Sequence, residues 1–311
     1  MLLLPSANRV YASASPDLAR AELAVFSESV LGGALSEAVV THRGGVPYLE
    51  FAAERLPDEA TTFLSQLSAI YALFEISGSL LKPTELNRLD RYDDDLITIQ
   101  KYQGKTNEQF TKLLLNVTLM SSAFAPELAS RRLAVLDPLC GRGTTLNQAL
   151  MYGWDAAGID HDVKDFEAYS AFIQTWLKHK RIKHHAQAIP VRRERRVLAR
   201  RLKIELAAEK SAYKAGRTQH LDVVHADTVS APDFFRPEAY DVIVADAPYG
   251  VQHGSSTAGR SLARSPLELL RAATPGWSLC SGRVARSGCR GTHWSPAARR
   301  QPRSCASRSL R

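Results

Sequence analysis

Long apolar runs are absent from this chain of 311 residues, and cysteine is scarce. No segment approaches the roughly 18 consecutive apolar residues of a membrane-spanning helix, and the first residues, MLLLPS, lack the basic charge and length of a secretory leader. The four cysteines fit neither a common zinc spacing nor a disulfide framework. Hydrophobic content of 45% and charged content of 23% are ordinary globular values. We therefore expect a soluble, cytoplasmic protein with no metal and no membrane partner.

Lysine, aspartate and glutamate are all missing from the end of the chain. Between Arg271 and Arg311 there are nine arginines, and because the formal net charge is +8, the remainder of the chain sums to −1. Three of the four cysteines also lie there, without helical or strand periodicity. Either a disordered basic arm contacts phosphates, or the segment is translated out of frame, which is the hypothesis we favour. Residues 278–311 are therefore set apart from the functional argument.

Residues 1–90 are predicted to form an α+β module. The pattern predicts a strand in NRVYASA, a helix capped by Ser15 in SPDLARAELAVFSESVLG, and two strands joined through Gly44 and Gly45. A second helix is predicted in LPDEATTFLSQLSAIYALFEISG, from an apolar face with helical spacing. A polar link interrupted by Pro83 then indicates a domain boundary.

Residues 91–277 read as a doubly wound α/β domain. Thr106 and Gln109 have the spacing of a capping box at the start of an amphipathic helix. LAVLDPLCGRGTTLNQALMYGWDAAGIDHD then predicts a strand, a glycine loop, a helix and a second strand. Residues 178–217, ahead of the third strand, are predicted to be a basic helical insertion with fourteen Lys and Arg against three Glu. That insertion is either a solvated surface or an arm that contacts RNA phosphates through Arg192, Arg193, Arg195 and Arg196.

The glycine loop follows the first strand of this domain. Gly141 and Gly143 permit a tight turn and close approach of the backbone to a ligand at a helix N-terminus. A dinucleotide loop would carry a third glycine, where this chain has Leu146, so a nucleoside ligand without pyrophosphate fits better. On its own the loop is equally explained as an ordinary turn between a strand and a helix.

Four predicted strands end in a carboxylate: Asp137, Asp160, Asp227 and Asp246. Ligands of open α/β sheets bind at the carboxyl ends of the strands, and a carboxylate after the second strand is well placed to accept from ribose hydroxyls. Each aspartate alone could be a helix cap or turn residue. Together they predict one acidic pocket edge.

The fourth strand leads into DAPYG. Asp246 follows four apolar residues, so its carboxylate emerges at the pocket rim. Pro248 fixes φ and favours an extended Ala247, whose carbonyl becomes a second acceptor. Tyr249 then offers a flat face. Two hydrogen-bond acceptors and one stacking face are suited to bind a nucleobase by its exocyclic amine. An acidic strand end before a proline turn would also explain these residues.

DPLCGRGTT, GID and DAPYG, in this order, resemble the class I methyltransferases that use S-adenosylmethionine to methylate base amines. KYQGKTNEQFTKLLLN followed by LDPLCGRGTTLNQALMYG resembles, more narrowly, the THUMP-associated tRNA guanosine-N2 methyltransferases of the position-ten type and their bacterial relatives. The resemblance covers roughly residues 90–275. It implies a Rossmann-like sheet behind an N-terminal THUMP-like module that binds tRNA or other structured RNA.

The resemblance also implies roles for individual residues. Asp137, Gly141 and Gly143 would hold the methionine end of S-adenosylmethionine, Asp160 its ribose, and Asp227 would approach the adenine amine. Asp246, with Ala247, Pro248 and Tyr249, would bind and orient the target base. No metal is implied.

Two departures from the family pattern leave alternatives open. Ala247 stands where the family signature has a first proline, and an out-of-frame tail would leave the sheet without its closing strands. Because the same acceptors and stacking face suit guanine N2 and adenine N6 equally, an adenine-N6 methyltransferase acting on DNA or RNA is a second hypothesis. A non-catalytic RNA-binding protein with a truncated methyltransferase fold is a third.

Overall fold

A computed structural model describes residues 1–6, 8–53, 58–102, 105–193, 196–247 and 266–282. The N-terminal region is an antiparallel sheet with strand order β2-β3-β1-β4-β5 and two helices. Its elements are β1 (Leu2–Leu3), α1 (Arg9–Val30), β2 (Val39–Arg43), β3 (Val46–Glu50), α2 (Ala60–Leu64), β4 (Ile70–Ser77) and β5 (Leu80–Thr84). The predicted pair of strands around Gly44 and Gly45 is confirmed as β2 and β3.

Two predictions for this region are wrong. The strand predicted in NRVYASA is the first part of α1, because the Asn8 side chain accepts from the backbone N–H groups of Val10 and Tyr11 and starts the helix there. Ser15 is therefore buried inside the helix and not its cap. The predicted second helix is only the short α2, and its apolar continuation forms β4, which pairs with β1 on one side and β5 on the other. Tertiary pairing has overridden a helix-like spacing.

The second region contains a sheet with strand order β11-β6-β7-β10-β9-β8. The strands are β6 (Ala134–Asp137), β7 (Asp155–Asp160), β8 (Lys183–Arg193), β9 (Arg196–Ala207), β10 (Gln219–His225) and β11 (Val242–Ile243). The helices are α3 (Asp95–Thr98), α4 (Glu108–Met120), α5 (Thr144–Met151), α6 (Val163–His179), α7 (Lys210–Lys214), α8 (Ala231–Phe234) and α9 (Pro266–Cys280), with short 3-10 turns at Ala125–Glu127 and Thr228–Ser230. The predicted strand, loop, helix and strand after residue 133 are confirmed.

Strands β11, β6, β7 and β10 are parallel, so their carboxyl ends meet at one edge. Alternate residues of each strand enter two apolar clusters. Val135 and Ala156 pack on the side that includes α4, α5 and α6, whereas Leu136 and Ala157 pack with residues of α8 and α9. These four parallel strands therefore have helices on both faces, as predicted.

The basic insertion is a β-hairpin and not a helical arm. β8 and β9 pair along their lengths, and β9 pairs antiparallel with β10. Leu202, Ile204 and Leu206 alternate with polar residues along β9 and are buried. That period of two is the signal of a strand, and the count of charges had obscured it.

One apolar core joins the two regions. It includes Leu23 and Phe26 of α1, Leu115 of α4 and Val135 of β6. A buried polar network lies within it, since the Glu22 carboxylate accepts from Ser68 and from the Asn116 side chain at 2.7 Å. Within the described residues, every helix is too short or too polar to span a bilayer.

The boundary predicted for the tail, at residue 278, lies too early in the chain. α9 continues through residues 278–280, Cys280 is fully buried, and Ser281 forms a bridge with Tyr240 beside β11. Trp277 and Cys280 pack against the sheet in the cluster that contains Leu136, which explains why this segment is held. Residues 283–311 lie outside the described residues. In the described part of the chain, β11 is the end strand on its side of the sheet.

Candidate functional site

The loop after β6 is built largely by the aspartates at the strand ends. Asp137 is buried and its Oδ1 accepts from the Leu139 N–H at 3.0 Å. The Gly141 N–H donates to Asp160 Oδ2 at 2.8 Å, which ties the loop to the end of β7. The carboxylates predicted to hold a cofactor therefore also fix the shape of the loop.

Gly143 is the point at which the loop becomes α5. Its φ of +78° is left-handed, and a Cβ atom there would lie 2.3 Å from Tyr169 Cε2. Gly158 in β7 has the complementary role, because its missing side chain leaves space for Cys140 and for Leu146 of α5. Leu146 stands where a dinucleotide loop has its third glycine, so this chain obtains close packing of helix and sheet from a glycine on the strand instead.

Asp160 lies at the carboxyl end of β7, next to the loop. Its side chain is 13% exposed. Oδ2 accepts from the Gly141 N–H, and Oδ1 accepts from the Asp162 N–H at 2.9 Å. Burial raises the pKa of Asp160, and these two backbone donors oppose the rise. A carboxylate oxygen has more than one lone-pair direction, so both oxygens can still accept from a ligand hydroxyl.

Asp137 is the most perturbed carboxyl of the site. Burial raises its pKa to about 7, while the hydrogen bonds from Leu139 and Thr145 act in the opposite direction. The negative charges of Asp160 and Asp246 raise it further, which shows that three of the four predicted carboxylates lie close enough to interact. This edge of the sheet favours a cationic ligand.

Asp227 stands apart from that group. It is exposed, and its Oδ1 accepts from the Val229 N–H at 2.9 Å as the cap of a 3-10 turn. The backbone before it is tied to the site, because the Ala226 N–H donates to the Asp160 carbonyl at 2.9 Å. In the structure Asp227 has the capping contact expected of an aspartate at a turn, and its predicted role toward adenine stays a prediction.

Asp246 follows β11 at the same edge. Val244 still donates to Leu136, so the strand remains paired up to the residues just before Asp246. Asp246 Oδ2 accepts from the Thr106 hydroxyl at 2.7 Å, and in the described part of the chain Oδ1 accepts no hydrogen bond. Ala247 is half-buried beside it. Pro248 and Tyr249 lie outside the described residues.

Sequence reasoning missed the segment before α4. The cap of α4 is Asn107, whose side chain accepts from Phe110 N–H, so the predicted capping box of Thr106 and Gln109 is wrong. The Thr106 hydroxyl contacts Asp246 instead. Tyr102 lies four residues earlier, and the centroid of its ring is 4.5 Å from Cζ of the Arg142 guanidinium. Residues on both sides of positions 103–104 thus contact the two loops of the site, and no local pattern signals contacts over such separations.

Three of the four arginines predicted to contact RNA, Arg192, Arg193 and Arg196, lie at the far end of the β8–β9 hairpin. In the β8–β9 ladder the backbone of Arg193 is opposite that of Arg196. Arg192 is exposed, and Arg195 lies outside the described residues. His225, at the end of β10, is opposite Arg200, so β9 residues 196–199 extend beyond that end. At about 3.4 Å per residue, these four residues extend the hairpin about 14 Å beyond the site edge.

A glycine loop and carboxylates at the ends of parallel strands are features of the α/β enzymes that bind nucleoside-containing cofactors at the carboxyl edge of the sheet. A family model described as the RMKL-like methyltransferase domain matches residues 128–283. Because this match covers just over half of the chain, the chain belongs to that methyltransferase family. The match includes α9 and all six strands of the second sheet. A search of curated proteins found no match.

Proposed function

We propose that this protein transfers a methyl group from S-adenosylmethionine to the exocyclic amine of a nucleobase, with guanosine N2 in tRNA as the target. The observation that carries the proposal is the state of Asp246. One carboxylate oxygen is held by Thr106, and the other accepts nothing within the described residues. A fixed acceptor beside a cofactor edge is what an amine nucleophile requires.

The residues at the sheet edge suit the cofactor. S-adenosylmethionine carries a sulfonium and an ammonium, and the carboxyl groups of Asp137 and Asp160 lie at the loop that would receive them. Asp160 retains lone pairs for ribose hydroxyls, while a Cβ built on Gly141 would meet nothing within 4 Å, so the loop faces open space. When bound, the cofactor supplies a methyl group already activated by its sulfonium.

The protein's own part of the reaction is positioning and acceptance of hydrogen bonds. Asp246 accepts one N–H of the target amine, which orients the nitrogen lone pair and increases its nucleophilicity. The Ala247 carbonyl accepts the second N–H. We expect Pro248 and Tyr249 to supply the stacking face, and Asp246 to hold the proton that the methylated nitrogen releases. A target base inside a stem must first be flipped out.

RNA is the partner that fits the surroundings of the site. The hairpin overhangs the edge at which Asp160 lies and ends in the sequence RRERR. Arginines at that distance can contact the phosphates of a nucleic acid whose target base is in the pocket. The N-terminal region, packed against α4, is proposed as a second RNA-binding element, and its THUMP-like character is part of the same proposal.

Product analysis tests the proposal. Purified protein is incubated with methyl-labelled S-adenosylmethionine and separate pools of tRNA and DNA, and the nucleosides are separated after digestion. We expect label in N2-methylguanosine from the tRNA pool only. Label in N6-methyladenosine would replace the proposed target with adenine, and cofactor binding without any transfer would contradict the assignment of a methyltransferase reaction on nucleic acid.

A further inference from the structure

Thr106 and Asp246 form the hydrogen bond that brings the segment before α4 to the catalytic turn. The two residues are 140 positions apart, both are partly buried, and the distance from Thr106 Oγ1 to Asp246 Oδ2 is 2.7 Å. A hydroxyl must donate to be useful to an ionised carboxylate, since that group is an acceptor only. The contact therefore has a fixed direction, from threonine to aspartate.

The backbone around Thr106 is held on both sides. Lys105 Nζ donates to the Ile97 carbonyl at 2.8 Å. The Asn107 side chain caps α4 through its oxygen and donates to Ser6 Oγ at 3.1 Å through its nitrogen. Gln109 donates to the Leu4 carbonyl at 3.1 Å. Thr106 is consequently a donor in a fixed position, because its neighbours are bonded to residues 4–6 on one side and to α3 on the other.

Within the part of the chain that the structure describes, the Thr106 hydroxyl is the one hydrogen-bond donor to the Asp246 carboxylate. The described strand before Asp246, β11, has only two residues. Rotation about its side-chain bonds would exchange the two oxygens and turn the acceptor away from an incoming amine. One strong hydrogen bond to Oδ2 prevents that exchange while leaving Oδ1 available.

We propose that Thr106 is a positioning residue for methyl transfer, whose hydroxyl holds Oδ2 of Asp246 so that Oδ1 faces the target amine. The inference rests on the proposed function, because it assigns a task to Asp246. It also gives the N-terminal region a part in the reaction, since Asn107 and Gln109 connect the Thr106 segment to residues 4–6.

Thr106→Val and Thr106→Ser test the inference. Valine keeps the shape and removes the donor, while serine keeps the donor. Because the lost hydrogen bond is one to a charged group, we expect kcat to fall about 10- to 150-fold in Thr106→Val. The KM for RNA and the Kd for S-adenosylmethionine should stay within about twofold. Thr106→Ser should recover most of the lost rate.

Thr118→Val is the matched control. Thr118 lies on α4, the helix that follows Thr106, and its hydroxyl donates to the Leu114 carbonyl at 2.8 Å, away from the acidic edge. We expect wild-type kcat in this variant. Thr106→Ala provides a second donor deletion if the valine methyl groups prevent folding, and retained cofactor binding by calorimetry identifies folded protein.

Three results would overturn the inference: wild-type kcat in both donor deletions, equal losses in the serine and valine variants, or a loss confined to KM. Asp246→Asn separates this failure from failure of the proposed function. If Asp246→Asn is inactive and Thr106→Val is fully active, only the role of Thr106 is wrong. If Asp246→Asn keeps the wild-type rate, the proposed function is wrong as well.

Discussion

The two halves of the site are held in different ways. In the half proposed to bind the cofactor, called the cofactor half, Asp137 accepts from Leu139, and Asp160 accepts from Gly141 and Asp162, over separations of at most 19 residues. In the catalytic half, the main described partner of Asp246 is Thr106, 140 residues away. The first half is a local unit of strand, loop and strand, whereas the second exists only when the segment before α4 has been packed in place.

Because of this difference, we expect substitutions to alter cofactor binding and the rate of methyl transfer separately. Substitutions in the cofactor half should alter stability and cofactor affinity together, because the same hydrogen bonds form the loop and present the carboxylates. Substitutions in the catalytic half should alter the rate while the fold and the cofactor affinity are retained. Variants of each half therefore test that division, and the largest effect on stability is expected in the cofactor half.

Gly143→Ala should be the most damaging single change in the cofactor half. The new Cβ would meet the buried Tyr169 ring at 2.3 Å, in addition to the strain of a left-handed φ. Overpacking and backbone strain together predict a loss of about 2–4 kcal/mol in the free energy of unfolding. Urea denaturation measures this loss, and cofactor binding by calorimetry should weaken in parallel.

Gly141→Ala is the matched control for that substitution. Gly141 also has a left-handed φ, +48°, but an added Cβ meets nothing within 4 Å. The strain alone predicts a loss of about 1–2 kcal/mol. Equal losses in the two variants would show that contact with Tyr169 does not determine the requirement for glycine at position 143.

Asp137→Asn should change how stability depends on pH. The pKa of Asp137 is raised by burial to about 7 from a usual 3.8, so between these values the folded protein holds a proton that the unfolded chain has released. Its contribution to the free energy of unfolding therefore falls as pH rises from about 4 to about 7, and is constant above that range. Asparagine cannot ionise, so the variant should lose less stability between pH 5 and pH 8.

Denaturant midpoints of wild type and Asp137→Asn at several pH values measure this difference. Asp233→Asn, an exposed residue of α8, should follow the wild-type curve. Parallel curves for wild type and Asp137→Asn would mean that the buried carboxyl titrates in its usual range, and the electrostatic account of the cofactor half would then be wrong.

Substitutions in the β8–β9 hairpin should have the smallest effect, and they should change only RNA binding. Replacing Arg192, Arg193, Arg195 and Arg196 with glutamine should reduce the slope of log K against log salt by up to about three to four, if each arginine contacts one phosphate. Stability and cofactor affinity should not change, because Arg192 is exposed and the tip lies beyond the end of β10. Replacing the exposed Lys203 and Lys210, which lie away from the tip, is the control. An unchanged slope would exclude the hairpin as an RNA contact.

The strand, loop, helix and strand that form the cofactor half were predictable from sequence because their signals are local, whereas the cofactor-binding roles of their residues stay predictions. Gly143, Asp137 and Asp160 follow short apolar strands, and the order of strand, loop, helix and strand is the one found. Gly158 gives the space for Leu146 that a third loop glycine would otherwise provide. This could not be predicted from the sequence, because it depends on the distance between a helix and a strand.

The remaining differences also have physical causes. Charge density concealed the alternation of Leu202, Ile204 and Leu206, and pairing with two neighbouring strands overrode the helical spacing in β4. Thr106 had a plausible local role as a cap, which Asn107 fills. A contact across 140 residues leaves no mark on either segment alone, so the catalytic half could be predicted only as far as Asp246 itself.

The central claim, that Asp246 acts on the target amine and not on the fold or the cofactor, is tested most directly by single-turnover methyl transfer to tRNA with Asp246→Asn. Asparagine keeps an oxygen for Thr106 but removes the negative charge. We predict a rate at least about 100-fold below wild type, with unchanged affinity for S-adenosylmethionine and unchanged thermal stability. A variant that methylates tRNA at the wild-type rate, or one that has lost cofactor binding to the same extent as activity, would contradict the account.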